Sequence, residues 1–225
     1  MGRSIRLTLV LSLLMFNLTA AAENPNAPTI LLNPTIVTGG LRSMAIITLP
    51  SPAPSEGVMV RLAASNVLST NESNPPMRPV ASVPAEIQVP AGRRIATFPI
   101  ETTPVTAAAT VSISASVSDT PAVAQLSVVP PSVDRTRLNS GFVHGGNSVT
   151  GEVILTGPAP EGGFSVSLAT DNGQIAITPA TVTVPAGQST ATFTLQTKQV
   201  SAATWITVGA SSPMGTRTAP LRVVP

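Results

Sequence analysis

The sequence contains no cysteine and no tyrosine, and it has one histidine, one tryptophan and one lysine among 225 residues. Charged residues make up 10% of the chain and aromatic residues 3%. The lack of cysteine excludes a disulfide framework, a thiol nucleophile and the lipid-modified cysteine of a bacterial lipoprotein. A secreted protein without disulfides fits bacterial export better than the eukaryotic secretory route.

Few residues of the chain could carry catalysis. Acid–base and nucleophilic chemistry need positioned ionisable groups. The sequence has no Gly-x-Ser-x-Gly motif and no glycine-rich phosphate loop ahead of a helix. We therefore predict that the protein is not an enzyme and uses no cofactor.

The charge of the chain does not favour a nucleic-acid partner. There are 12 basic and 10 acidic residues, and Arg3 and Arg6 lie within the N-terminal residues 1–22. Without these two, 10 basic residues face 10 acidic ones. No basic stripe is present, so we expect no binding of nucleic acid.

Residues 1–22 have the pattern of a signal peptide. Arg3 and Arg6 form a positive start, Leu7 to Leu18 is apolar, and Ala20-Ala21-Ala22 offers a cleavage site. An uncleaved membrane anchor is the alternative, but the apolar run is shorter than the roughly 20 residues that span a bilayer. We predict cleavage after Ala22, a secreted or periplasmic location, and no membrane span in the mature chain.

One turn-and-strand motif occurs twice. Val89-Pro90-Ala91-Gly92 returns 95 residues later at positions 184–187, and each copy is followed by Ala-x-Phe, ending at Phe98 and Phe193. Proline and glycine favour a tight turn, and alternate residues of a strand share one face. The repetition predicts two copies of one small β domain, with both phenylalanines buried.

The remaining pattern is one of short alternating strands. Apolar residues recur at every second position, for example in Val58, Val60 and Leu62, in Val111, Ile113 and Ala115, and in the matching Ile206, Val208 and Ala210. We predict an all-β protein of two tandem immunoglobulin-like β-sandwich domains, at residues 29–130 and 131–225, with about seven strands each. The stretch from Ala64 to Ser82 is predicted to be a long loop, and its shorter counterpart runs from Thr170 to Thr178. The offset between the two repeats is 106 residues before this loop and 95 after it, so the repeat lengths differ here by 11 residues.

The second copy carries the clearest family resemblance. Gly145-Gly146, Thr-Gly-Glu-Val-Ile-Leu-Thr-Gly-Pro-Ala-Pro-Glu-Gly-Gly at 150–163, Val-Thr-Val-Pro-Ala-Gly at 182–187 and Ala-Thr-Phe at 191–193 follow in order. This pattern resembles the tandem immunoglobulin-like repeats of bacterial secreted and surface proteins. The resemblance implies the fold; such repeats serve as spacers and as binding modules alike.

Trp205 and the long first loop are the candidate partner contacts. Trp205 lies out of phase with Ile206, so it should face outward, where it could stack on a sugar or anchor a protein. Packing against neighbouring side chains or between the domains is the alternative. In the loop from Ser65 to Arg78, the candidate contacts are Asn71, Glu72 and Arg78.

Three other polar groups have simpler interpretations. His144 is expected in a turn at the surface. The turn Asp171-Asn172-Gly173 is the nearest approach to a calcium site, but this triplet is ordinary turn chemistry. Arg93-Arg94 should be a solvated sheet edge that discourages strand pairing. We therefore predict no metal site.

The sequence as a whole favours an exported, non-catalytic protein with a structural or interaction role, whose partner is an envelope or extracellular protein or a glycan. A carbohydrate-binding module that uses Trp205 is one alternative. A periplasmic pilus chaperone is another, because it also combines a signal peptide with two immunoglobulin-like domains. Its two domains differ, however, whereas the halves of this chain are close copies.

Overall fold

The computed structural model describes residues 27–66, 79–117 and 120–225. Within these ranges the regular secondary structure consists of β-strands alone. The first unit comprises β1 (Thr29–Asn33), β2 (Ile36–Thr38), β3 (Ser43–Thr48), β4 (Val58–Asn66), β5 (Ala81–Ser82), β6 (Glu86–Val89), β7 (Ile95–Thr102), β8 (Ala109–Val117) and β9 (Thr120–Val129). The second comprises β10 (Val133–Leu138), β11 (Phe142–His144), β12 (Ser148–Leu155), β13 (Phe164–Thr170), β14 (Ala176–Ile177), β15 (Thr181–Val184), β16 (Thr190–Thr197), β17 (Thr204–Ser212) and β18 (Gly215–Val224). We call these two sets unit 1 and unit 2.

Each unit consists of two sheets. In unit 1 the orders are β1-β3-β7-β5 and β2-β9-β8-β4-β6, and in unit 2 they are β10-β12-β16-β14 and β11-β18-β17-β13-β15. Only the short strands β2 and β11 pair in parallel, with β9 and β18 respectively, among the described pairs. This is an immunoglobulin-like sandwich in each unit, as the sequence predicts.

The sandwich has more strands than expected. Within the described residues each unit has nine strands, where the sequence predicts about seven. The stretch from Ala64 to Ser82 is not all loop, because β4 continues to Asn66 and β5 begins at Ala81. The sequence does not indicate this extension of β4 because its last residues are small and polar. Ser65 pairs with Ser112 through backbone hydrogen bonds, which need no apolar side chain.

Alternating residues fill a separate core in each unit. Phe98 is 1% exposed and Phe193 is 5% exposed, which confirms that both are buried. The strand faces predicted from alternation are also buried, including Ala45 and Ile47 of β3 and Ile206 of β17. The buried cluster of unit 1 runs from Leu32 to Val128, and that of unit 2 from Val133 to Val223.

The two units meet where the end of β2 approaches the segment that follows β12. Thr38 lies against Gly157, where an added Cβ would be 2.8 Å from Thr38 Cγ2. The hydroxyl of Thr38 also lies 3.5 Å from that of Thr156. Thr156 in turn fixes the linker, because it exchanges hydrogen bonds with the backbone of Ser132 at 2.9 and 3.0 Å.

A second glycine completes this contact. Gly40 lies so close to the ring of Pro158 that an added Cβ would overlap it. We call the contact of residues 38–40 with 156–158 the junction.

Within the described part of the chain, no helix is long and apolar enough to cross a membrane.

Candidate functional site

The outer face of the five-stranded sheet in unit 2 is covered mainly by small side chains. Because Val166, Val208 and Leu221 point into the core, their neighbours along each strand point outward. The outward residues are mostly Ser, Thr, Ala and Gly: Ser165, Ser167 and Ala169 on β13, Thr207, Gly209 and Ser211 on β17, and Thr216 and Thr218 on β18. The face therefore offers a low, hydroxyl-rich surface.

Three large side chains interrupt this surface at one end of the sheet. Phe142 of β11 pairs with Arg222 of β18, and Arg222 pairs in turn with Trp205 of β17. Phe142 is 63% exposed and Trp205 65% exposed, and Arg222 is exposed as well. Since neighbouring strands lie about 4.8 Å apart, the two aromatic residues are separated by about 10 Å. We call these three residues the aromatic row.

The strand register fixes the row. Trp205 faces outward because Ile206 is buried at 1% exposure, so the prediction of its direction is confirmed. Phe142 is held by the parallel pairing of β11, which is extended at one end by a bond from Arg222 N–H to Gly141 O (3.0 Å). At the other end Gly145 N–H donates to Val224 O at 2.8 Å. The aromatic residues thus stand on paired strands rather than on a loop.

Arg222 differs from several other arginines of the chain. Arg42, Arg61 and Arg135 each lie within salt-bridge distance of a carboxylate, at 2.8, 3.6 and 2.9 Å. Across the described ranges, no carboxylate or carbonyl pairs with the side chain of Arg222. A cation without a partner between two exposed aromatic rings favours an anionic ligand.

The turn after β13 borders the row and is held by its own hydrogen bonds. The carboxylate of Asp171 accepts a bond from Thr207 N–H at 2.9 Å, and Asn172 Oδ1 accepts one from Gln174 N–H at 3.1 Å. The triplet Asp171-Asn172-Gly173 is therefore a turn motif. Among the described residues, no three His, Cys, Asp or Glu side chains are grouped so as to hold a metal ion.

His144 is exposed, but it ends a strand rather than lying in a turn. Its Nδ1 is 2.6 Å from the backbone oxygen of Pro225. It lies two residues beyond Phe142 on the same side of β11. His144 therefore extends the polar border of the aromatic row.

Arg93 and Arg94 are both exposed, as expected, but the side chain of Arg94 is also held by the backbone. Its guanidinium donates to Leu49 O at 3.2 Å and to Pro50 O at 2.7 Å. The side chain therefore binds the carbonyls that follow β3, although it is exposed. Together with Arg93 and Ile95 it borders a shallow, open depression.

Sequence reasoning found only one member of the row. Asn71, Glu72 and Arg78, the other predicted contacts, lie outside the described residues. Phe142 and Arg222 were missed because they are 80 positions apart in the chain and meet only through a parallel pairing. A signal for them existed in the repeat alignment, in which outward Ile36, Ser127 and Thr110 of unit 1 become Phe142, Arg222 and Trp205.

Comparisons with known proteins give fold similarity alone. No family model and no curated protein matches the chain. Among solved structures, the Escherichia coli adhesin FdeC is 17% identical, with a TM-score of 0.35, covering 88% of this chain and 63% of its own. The titin immunoglobulin tandem A164-A165 is 14% identical, with a TM-score of 0.26 and coverages of 88% and 96%. Escherichia coli alpha-2-macroglobulin is 13% identical, with a TM-score of 0.36 and coverages of 91% and 22%. The chain thus spans less than two thirds of the adhesin and about a fifth of the macroglobulin.

Proposed function

We propose that this is an exported, non-catalytic protein whose two immunoglobulin-like units have a structural or binding role at the bacterial envelope or outside the cell. Its partner is an envelope or extracellular protein or a glycan. The signal-peptide pattern of residues 1–22 supports export. The resemblance to bacterial tandem repeats supports the location.

The junction is the observation that carries the structural part of this proposal. Neighbouring domains move relative to one another unless their interface restrains them. Here the linker contains Pro130 and Pro131, whose φ angles are restricted. The next residue, Ser132, donates its N–H to the Thr156 hydroxyl and accepts a hydrogen bond from Thr156 N–H at its carbonyl oxygen. The close approach of Thr38 and Gly157 then sets the spacing of the two units. A fixed spacing suits a protein that holds surfaces at defined positions.

The interior of each unit supports a role that depends on surface residues. The buried polar residues are Ser43, Thr136 and Thr197, and the core is otherwise apolar throughout the described ranges. Ser43 donates to Pro34 O and Thr197 to Asn147 O, each at 2.7 Å, so these hydroxyls hold backbone segments together. Catalytic sites instead gather titratable groups in a cleft.

Carbohydrate binding is a second candidate, and the aromatic row is the observation that favours it. Exposed tryptophan and phenylalanine side chains on one face of a sheet offer stacking surfaces for sugar rings. This candidate is compatible with the first, because a spacer can carry a binding face.

The junction can be tested by comparing the tumbling of the two units by NMR relaxation. Intact protein should tumble as one body. Gly157→Ala should let the units move independently, because the new methyl group overlaps Thr38 Cγ2. Adding Thr38→Ser removes that methyl contact and should restore common tumbling. Independent tumbling of the unmodified units would contradict the proposal.

Export and the absence of turnover need separate measurements. N-terminal sequencing of the protein from its native host should begin at Glu23, after removal of residues 1–22. A full-length chain extracted from membranes would contradict this cleavage. Hydrolysis of an envelope polymer by the purified protein, proportional to its concentration, would contradict a non-catalytic role.

A further inference from the structure

We propose that the aromatic row of unit 2 binds a carboxylated polysaccharide, with sugar rings stacked on Phe142 and Trp205 and a carboxylate bound by Arg222. This inference rests on the proposed binding role, and it names the class of ligand. It does not depend on export or on the junction. It assigns the site to unit 2 alone.

The spacing of the row suits a chain of rings. Phe142 and Trp205 stand on strands separated by one intervening strand, about 10 Å apart. Both side chains project from the same face of the sheet and are about two-thirds exposed. A polysaccharide presents C–H faces that stack on aromatic rings, while its hydroxyl groups reach water or polar side chains. Two such platforms can hold two positions of one extended chain.

The charge of the row selects among polysaccharides. Arg222 lies between the two aromatic residues and has no carboxylate partner within the described chain. A guanidinium binds a carboxylate through two parallel hydrogen bonds. The carboxylate of Asp171, at the border of the row, accepts a bond from Thr207 N–H and does not form a salt bridge with Arg222. A uronic acid supplies both the ring and the carboxylate that this arrangement requires.

The surroundings of the row admit a long polymer. Beyond Trp205, the outward residues of β17 are Thr207, Gly209 and Ser211, none of which projects far from the sheet. On β18 the outward neighbour of Arg222 is Pro220, which pairs with Thr207 and is also compact, so on these two strands no long side chain stands next to the row. The hydroxyls of Thr207 and its neighbours can exchange hydrogen bonds with those of the sugar.

Other macromolecules match the row less well. A single-stranded nucleic acid needs several cations along its backbone in addition to stacking surfaces, and the row has one arginine. A stable protein interface needs a larger contiguous apolar centre. The row instead has two separated rings with a cation between them. Polyglutamate and oligo(dT) represent these alternatives in the binding test.

The single tryptophan makes the site measurable by fluorescence. Because Trp205 is the only tryptophan, its emission reports this face directly. We expect polygalacturonate to shift the emission to shorter wavelength and added salt to weaken the binding. Methyl-esterified polygalacturonate keeps the rings but loses the charges, and it should bind at least about tenfold more weakly, as expected for a lost charge-assisted pair.

The variants use unit 1 as the template. Phe142→Ile, Arg222→Ser and Trp205→Thr each introduce the residue found at the matching position of unit 1, so each is compatible with the fold. We expect each aromatic replacement to weaken binding to polygalacturonate by roughly tenfold, within the range measured for stacking on aromatic side chains. Calorimetry replaces fluorescence for Trp205→Thr. Ile36→Ala, at a site that is also 63% exposed, is the matched control and should leave affinity unchanged.

Four results would overturn the proposal. They are no emission shift with polygalacturonate, equal binding of the methyl ester, stronger binding of polyglutamate or oligo(dT) than of polygalacturonate, and unchanged affinity in all three variants. None of these results would alter the processing or tumbling measurements. Failure of this inference is therefore distinguishable from failure of the proposed function.

Discussion

The two units share a topology and a core pattern but differ on their outer faces. Inward positions are occupied alike, as in Ile113 of β8 and Val208 of β17, which are both fully buried. At three outward positions of the five-stranded sheets, unit 1 has Ile36, Ser127 and Thr110, whereas unit 2 has an aromatic residue, an arginine and a tryptophan. Packing restricts the inward positions, while the outward positions are free to acquire binding side chains.

A second difference lies inside the sandwiches. Ala45 pairs with Phe98 in unit 1, whereas Gly151 pairs with Phe193 in unit 2. A Cβ built on Gly151 would overlap the ring of Phe193. The equivalent phenylalanines therefore occupy their cores differently, and the difference predicts unequal tolerance to substitution.

The largest expected effect is the loss of either buried phenylalanine. Phe193→Ala and Phe98→Ala should each lower the free energy of unfolding by about 3–5 kcal/mol, because each leaves a cavity between the sheets. Chemical denaturation of the two variants measures this loss. A loss below about 1 kcal/mol for either would mean that the strand register is wrong there.

Gly151→Ala should come next in size. The added methyl group overpacks unit 2 against Phe193, at a cost of about 1–3 kcal/mol. Combining it with Phe193→Leu should recover part of the loss relative to the sum of the two single changes, which a double-mutant cycle measures. Strict additivity would contradict the contact.

A pair of matched glycines separates the junction from backbone strain. Gly40 and Gly146 occupy equivalent turns with φ of 87° and 92°. Alanine at either site must adopt a left-handed backbone conformation, which lowers the free energy of unfolding by about 1–2 kcal/mol. Gly40→Ala also overlaps Pro158 of unit 2 and crowds Pro104 of unit 1 at 3.1 Å, whereas Gly146→Ala meets the flexible side chain of Gln199 at 3.4 Å. We therefore expect the larger loss of thermal stability for Gly40→Ala, and equal losses would contradict the junction.

The sequence predicted the features of the fold that depend on alternation. The buried faces of β3, β8 and β17 and the outward direction of Trp205 follow from a period of two. Alternation could not show that β4 continues to Asn66, since its final residues are small and polar. Nor could it show the neighbours of Trp205, because a three-residue parallel strand such as β11 leaves almost no local signal.

The exchange of outer-face residues should have the smallest effect on stability and the most specific effect on binding. Phe142→Ile, Arg222→Ser and Trp205→Thr combined should change the free energy of unfolding by less than about 1.5 kcal/mol, as exposed substitutions rarely exceed about 0.5 kcal/mol each. The stability of the combined variant, measured by chemical denaturation, serves as the control for the binding experiment.

The most direct test of the account transfers the aromatic row from unit 2 to unit 1. In the combined variant, Ile36→Phe, Ser127→Arg and Thr110→Trp place the same three side chains on the equivalent strands, with a single tryptophan again as the reporter. The account predicts that polygalacturonate binding, lost in the combined variant, returns with a shift of the new tryptophan emission. A folded protein that carries the transferred row and shows no binding would contradict the claim that these three residues form the site.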